Sequence, residues 1–74
     1  MPRLPSVTAR KAIQALKRAG FVEIKQRGSH VSLWNAERDA LTAVPLHSGD
    51  LKRSLMKRII KQAGLTEDQF RTLL

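Results

Sequence analysis

Gly28, Ser29 and His30 stand together between two short alternating stretches of a 74-residue chain. An imidazole takes or gives a proton near neutrality, which few other side chains do unaided. Gly28 permits a tight turn with positive φ, so the histidine after it is presented at a loop end rather than inside a core. Lys25 and Arg27 come just before the turn and can offset negative charge that develops on a phosphate. The chemistry these types offer is cleavage of a phosphodiester whose nucleophile is already present, the ribose 2′-hydroxyl. His30 would draw the proton from that hydroxyl or protonate the departing 5′ oxygen. Only RNA carries the hydroxyl, so the expected activity is on RNA rather than DNA, with a cyclic phosphate as first product. A metal-dependent nuclease gathers carboxylates, whereas the six acids Glu23, Glu37, Asp39, Asp50, Glu67 and Asp68 are scattered. Neither a metal nor a cofactor is expected.

Each of these residues has a plainer role beside the chemical one. His30 can be an exposed strand histidine that only contacts a phosphate, and Ser29 can cap the turn instead of reaching the scissile group. His47, after Pro45, is either a second acid–base group or a cap and contact residue; with His30 it lacks the further ligands a metal needs. Trp34 can stack on a base or pack across strands. Arg53, Lys57 and Lys61 recur at i,i+4 along one side of a predicted helix, suited to phosphates or simply to water.

Fourteen Lys and Arg against six Asp and Glu leave a net charge of +8. Polyanions are the expected partners, nucleic acid first and an acidic protein surface second. A membrane surface ranks behind both, since one tryptophan and no long apolar face accompany the lysines. There is no cysteine for a disulfide framework or a thiolate-bound zinc. No apolar run approaches the roughly 20 residues that span a bilayer, and the N-terminus lacks the apolar stretch of a secretory signal. A cytoplasmic protein with one domain over residues 1–74 is the expectation.

The elements that must position His30 are legible in outline. Ser6 is a candidate N-cap for a helix to about Ala19, with Ala9, Ala12, Ile13 and Leu16 on one face. Gly20 sits where a left-handed residue ends a helix, and Phe21 follows at the position that folds back on Leu16. From Phe21 to Gln26 the period is two, with Val22 and Ile24 expected to face the helix. Ser29 to Trp34 alternates again; Val31 and Leu33 form the apolar pair, which directs His30, Ser32 and Trp34 to the opposite face. Leu41 to Val44 form a third strand closed by Pro45. After a loop over Leu46 to Asp50, a second helix runs to about Ala63 with Leu55, Met56, Ile59, Ile60 and Ala63 as its buried stripe. Gly64 and Leu65 repeat the earlier helix ending. Thr66-Glu67-Asp68-Gln69 is a capping-box pattern, with Leu65 and Phe70 at hydrophobic-staple spacing. The order is α-β-β-β-α with an antiparallel three-stranded sheet and a short extra helix.

Taken together, Ala19-Gly20-Phe21, Gln26-Arg27-Gly28-Ser29-His30, Val44-Pro45-Leu46-His47-Ser48-Gly49 and Arg58-Ile59-Ile60-Lys61-Gln62-Ala63-Gly64-Leu65-Thr66 resemble the HicA-type toxins of type II toxin–antitoxin systems. The resemblance spans nearly the whole chain. It implies an α+β fold similar to double-stranded RNA-binding domains, an mRNA interferase that stops translation, and a HicB-type antitoxin that masks the His30 face. It also implies that His30 is the catalytic residue. The family's frequent Gly-Thr step into the second helix, and the proline ahead of it, are replaced by Ser54-Leu55 without a preceding proline, which leaves the start of that helix open. Two other readings suit the same residues: a non-catalytic RNA-binding module of this fold, and a small basic protein of the ribosome.

Overall fold

A computed structural model describes residues 4–46 and 49–74. Its elements are α1 (Ala9–Arg18), β1 (Val22–Arg27), β2 (His30–Asn35), β3 (Ala40–Pro45), α2 (Arg53–Gln62) and α3 (Glu67–Leu73). The strands form one antiparallel sheet in the order β1-β2-β3. This is the α+β architecture expected from the sequence, with three helices and an open sheet.

The helix boundaries follow from local chemistry. α1 is capped by Thr8, whose side-chain oxygen accepts the Lys11 amide, and not by Ser6. The cap falls there because Val7 and Ala9 are both buried, which sets where the helix must begin to face the core. At the other end the Phe21 amide donates to the Leu16 carbonyl and the Gly20 amide to that of Lys17, both at 3.0 Å. These are the paired bonds of a Schellman ending, and Gly20 adopts the left-handed φ of 103° that it requires. α2 ends in the same way, through Leu65 onto Ile60 and Gly64 onto Lys61. Its start is less well made: Lys52 occupies the N-cap and forms no side-chain cap bond. α3 has the full capping box between Thr66 and Gln69, with Leu65 and Phe70 both buried beside it.

β2 alternates as its sequence predicts, with Val31, Leu33 and Asn35 buried against the helices and His30, Ser32 and Trp34 on the other side. β1 does not. Val22 and Ile24, expected to face the helix, are 56% and 55% exposed, and no residue of β1 is buried. A bulge between Glu23 and Lys25 shifts the register, so that Val22 pairs with Trp34 and shares its outward face. The position in the core goes to Phe21 instead, drawn in by the Schellman ending and only 2% exposed. β1 therefore overhangs the helical layer as an edge strand.

Two buried polar side chains tie the layers. Asn35 donates to the Ala19 carbonyl at 3.0 Å and accepts the Arg38 amide at 3.1 Å. Thr42 hydrogen-bonds the Gln62 side chain at 3.1 Å. A Cβ added at Gly20 would lie 3.2 Å from the Asn35 amide nitrogen, so this glycine serves both its own φ and that contact. Gly20→Ala is expected to destabilise by about 1–3 kcal/mol. Gly64→Ala, with nothing within 4 Å of the added carbon, should cost only the left-handed backbone strain, about 1 kcal/mol. Urea denaturation of both variants checks the difference; equal losses would mean that Asn35 moves aside freely.

Candidate functional site

Gly28 and Ser29 form a two-residue hairpin loop between Arg27 and His30, which pair directly. Gly28 has φ 59°, as the first central residue of a II′-type loop requires, and its flank is open, with nothing within 4 Å of an added Cβ. The loop is braced from both sides. The Gln26 side chain donates to the Gly28 carbonyl at 3.4 Å, and the Leu46 amide donates to the Ser29 carbonyl, extending the β2–β3 ladder by one bond.

His30 opens the central strand and is exposed. Its neighbours in register are Arg27 on β1 and Pro45 on β3, and directly opposed side chains on one sheet face have Cβ atoms about 5 Å apart. Among the described residues, no side chain hydrogen-bonds the imidazole. The register lays out the outer face in three rows. Arg27, His30 and Pro45 make the first, Lys25, Ser32 and Ala43 the second, and Val22, Trp34 and Leu41 the third. None of these side chains is acidic. Glu23, the acid of β1, pairs with Leu33 on the inner side and meets Lys17 of α1 at 3.0 Å. Phosphate at the first row thus meets Lys25 and Arg27 with no carboxylate on that face to oppose it.

The sheet gathers Lys25, Arg27, Gly28, Ser29, His30 and Trp34, but it separates them from the basic residues of α2. Arg53, Lys57 and Lys61 are exposed on α2, in the helical layer whose buried residues Met56, Ile59 and Ile60 turn the other way. Arg53 donates to the Leu4 carbonyl at 3.4 Å, and Lys57 and Lys61 border a shallow cavity with Thr66 and Glu67. An RNA that touches both sets must wrap around an edge of the sheet. His47 falls outside the described residues. Among the described residues, no three His, Asp or Glu side chains come together as metal ligands, and no helix is long and apolar enough to cross a membrane.

Sequence reasoning missed Val22 and Leu41 as members of this face. Leu41 could not be assigned, because Leu41-Ala43 and Thr42-Val44 are both plausible inward pairs and only the structure turns Thr42 and Val44 inward. Nor could Val22. Counting outward from the two-residue loop places Val22 opposite Asn35, on the inner side, and no glycine or proline in β1 marks the bulge that moves it.

A family model described as the HicA toxin of bacterial toxin-antitoxin matches residues 9–65. That span runs from the first residue of α1 to the buried Leu65 and contains the whole sheet and the Gly28–His30 turn. No curated protein matches the chain.

The charge on the outer face has a measurable signature in binding to a single-stranded polyanion such as polyuridylate. Each phosphate neutralised contributes roughly 0.7 to the slope of log K against log salt. Arg27→Gln is expected to reduce the slope by about that amount, whereas Arg18→Gln, on the helical layer beside the Leu73 carbonyl, should leave it unchanged. Equal slopes for Arg27→Gln and wild type would place the phosphates elsewhere.

Proposed function

The chain belongs to the HicA toxins of bacterial toxin–antitoxin systems, and from that premise we propose that it is a metal-independent endoribonuclease that cuts mRNA and so blocks translation. The observation that carries this reading is the place of His30: exposed, at the end of a central strand, opposite Arg27 and beside an open glycine turn on a face without carboxylates. His30 acts as general acid or base. As base it takes the 2′-hydroxyl proton; the 2′ oxygen bonds to phosphorus, the bond to the 5′ oxygen breaks with that oxygen taking a proton from water, and the products are a 2′,3′-cyclic phosphate and a 5′-hydroxyl. As acid it delivers a proton to that 5′ oxygen, and water takes the proton of the 2′-hydroxyl. Arg27 and Lys25 offset charge on the non-bridging oxygens, and the Gly28–Ser29 backbone and the Ser29 hydroxyl lie where the phosphate passes. Trp34, His47, Arg53, Lys57 and Lys61 are RNA contacts in this proposal.

The family carries an antitoxin partner with it. We propose that this partner is of the HicB type, that it covers the His30 face, and that the pair acts in the cytoplasm as a type II system. Cationic residues exposed around His30 suit an acidic partner surface as well as they suit RNA, so one face serves both.

The test uses purified wild type and His30→Ala, each verified as folded, incubated with a long single-stranded RNA in EDTA. Removing a general acid or base costs about 10²- to 10⁴-fold, so wild type should fragment the RNA, the variant should be slower by that factor, and the fragments should end in a cyclic phosphate. Equal rates would remove His30 from the chemistry. Inactivity of both with RNA still bound would leave an RNA-binding module of this fold.

A further inference from the structure

We infer that the third row of the outer sheet face, Trp34 between Val22 and Leu41, is a nucleobase-stacking subsite that fixes which side of the scissile phosphate the RNA must extend on. The inference rests on the reading that His30 acts on RNA. It begins from an exposed apolar row that crosses all three strands. Val22 and Leu41 are 56% and 54% exposed, on the two strands either side of β2, and flank the half-buried indole in direct register. Large apolar side chains left open in register across three strands form a platform rather than scattered surface residues.

The occupant follows from what adjoins the platform. Along β2, His30 and Trp34 are four residues apart on the same face, about 13 Å at 3.3 Å per residue. Between them lies the second row, where Lys25 stands beside the small side chains of Ser32 and Ala43. A strand of RNA laid along β2 would put a phosphate at His30, pass its backbone by Lys25 and bring a base to the indole no more than about four nucleotides away at stacked spacing. No acidic side chain interrupts this path. An apolar protein segment could use the third row alone, but the line of cation, small residues and indole leading to His30 favours a polyanion with flat, stackable bases. Because every base has a π-face, such a subsite demands length and polarity of the substrate more than sequence.

The chain's one tryptophan is its own reporter. His30→Ala, expected to turn RNA over about 10²- to 10⁴-fold more slowly, is titrated with uridine di-, tetra- and octanucleotides while indole fluorescence is followed. In parallel, kcat/KM for the same series is measured with wild type, Trp34→Ala and Trp34→Phe, each checked for folding by its urea transition. Expected are quenching that strengthens with length, and a rise of wild-type kcat/KM with length on one side of the cut. Trp34→Ala should flatten that rise by about 5- to 100-fold between octamer and dimer, with KM carrying the loss, and Trp34→Phe should restore most of it. Cleavage by wild type without quenching or length dependence overturns the subsite and leaves the His30 proposal standing. Quenching by a purified cognate antitoxin but not by RNA overturns it in favour of a protein-docking face. If wild type cuts no RNA, the parent reading falls and this one with it.

Discussion

The alternation of β2 is the constraint on which the rest depends. Val31 and Leu33 are 1% and 0% exposed, and their burial is worth about 1.5–3 kcal/mol each. A slip of one residue against β1 and β3 would turn both into water and bury His30 and Trp34 in their place. The register is pinned at both ends, by the two-residue loop at Gly28–Ser29 and by the unbroken pairing with β3 from His30–Pro45 to Asn35–Ala40. The candidate site is thus aimed by residues that take no part in it.

The far end of the same strand secures the sheet to the helices. Asn35 holds the carbonyl of Ala19 at the end of α1, while Arg38, in the turn that follows, reaches the carbonyl of Gly64 at the end of α2 at 3.1 Å. Both helices end in Schellman geometry, which leaves carbonyls at the terminus in need of donors. One turn supplies donors to both. Arg18 closes a third tie, from the end of α1 to the Leu73 carbonyl of α3.

What was legible in the sequence is what short-range chemistry decides. Both glycine endings, the Thr66–Gln69 capping box and the parity of β2 depend on residues within a few positions of each other. The first cap lies two residues from the position expected because Ser6 and Thr8 are equivalent cap acceptors, and only the burial of Val7 and Ala9 chooses between them. β1 was misread for a different reason. Alternation reports burial only where a strand lies over a core, and β1 overhangs, so its bulge carries no penalty that the pattern could reveal. Which residues stand near His30 is legible because hairpin geometry is local. Whether the basic residues of α2 share a face with them is a question of layers, which i,i+4 spacing does not address.

The overhang of β1 has an evolutionary consequence. Substitutions on Val22, Ile24, Lys25 and Arg27 touch no buried contact, so selection on foldability is nearly blind to them. Changes in what the chain recognises can therefore accumulate on this strand one at a time, without the compensating core mutations that usually slow divergence. With the antitoxin on the His30 face as proposed, an edge that folding leaves this free gives a toxin and its antitoxin room to co-evolve into mutually exclusive pairs, within what RNA cleavage demands of Lys25 and Arg27, while the scaffold that aims His30 stays the same.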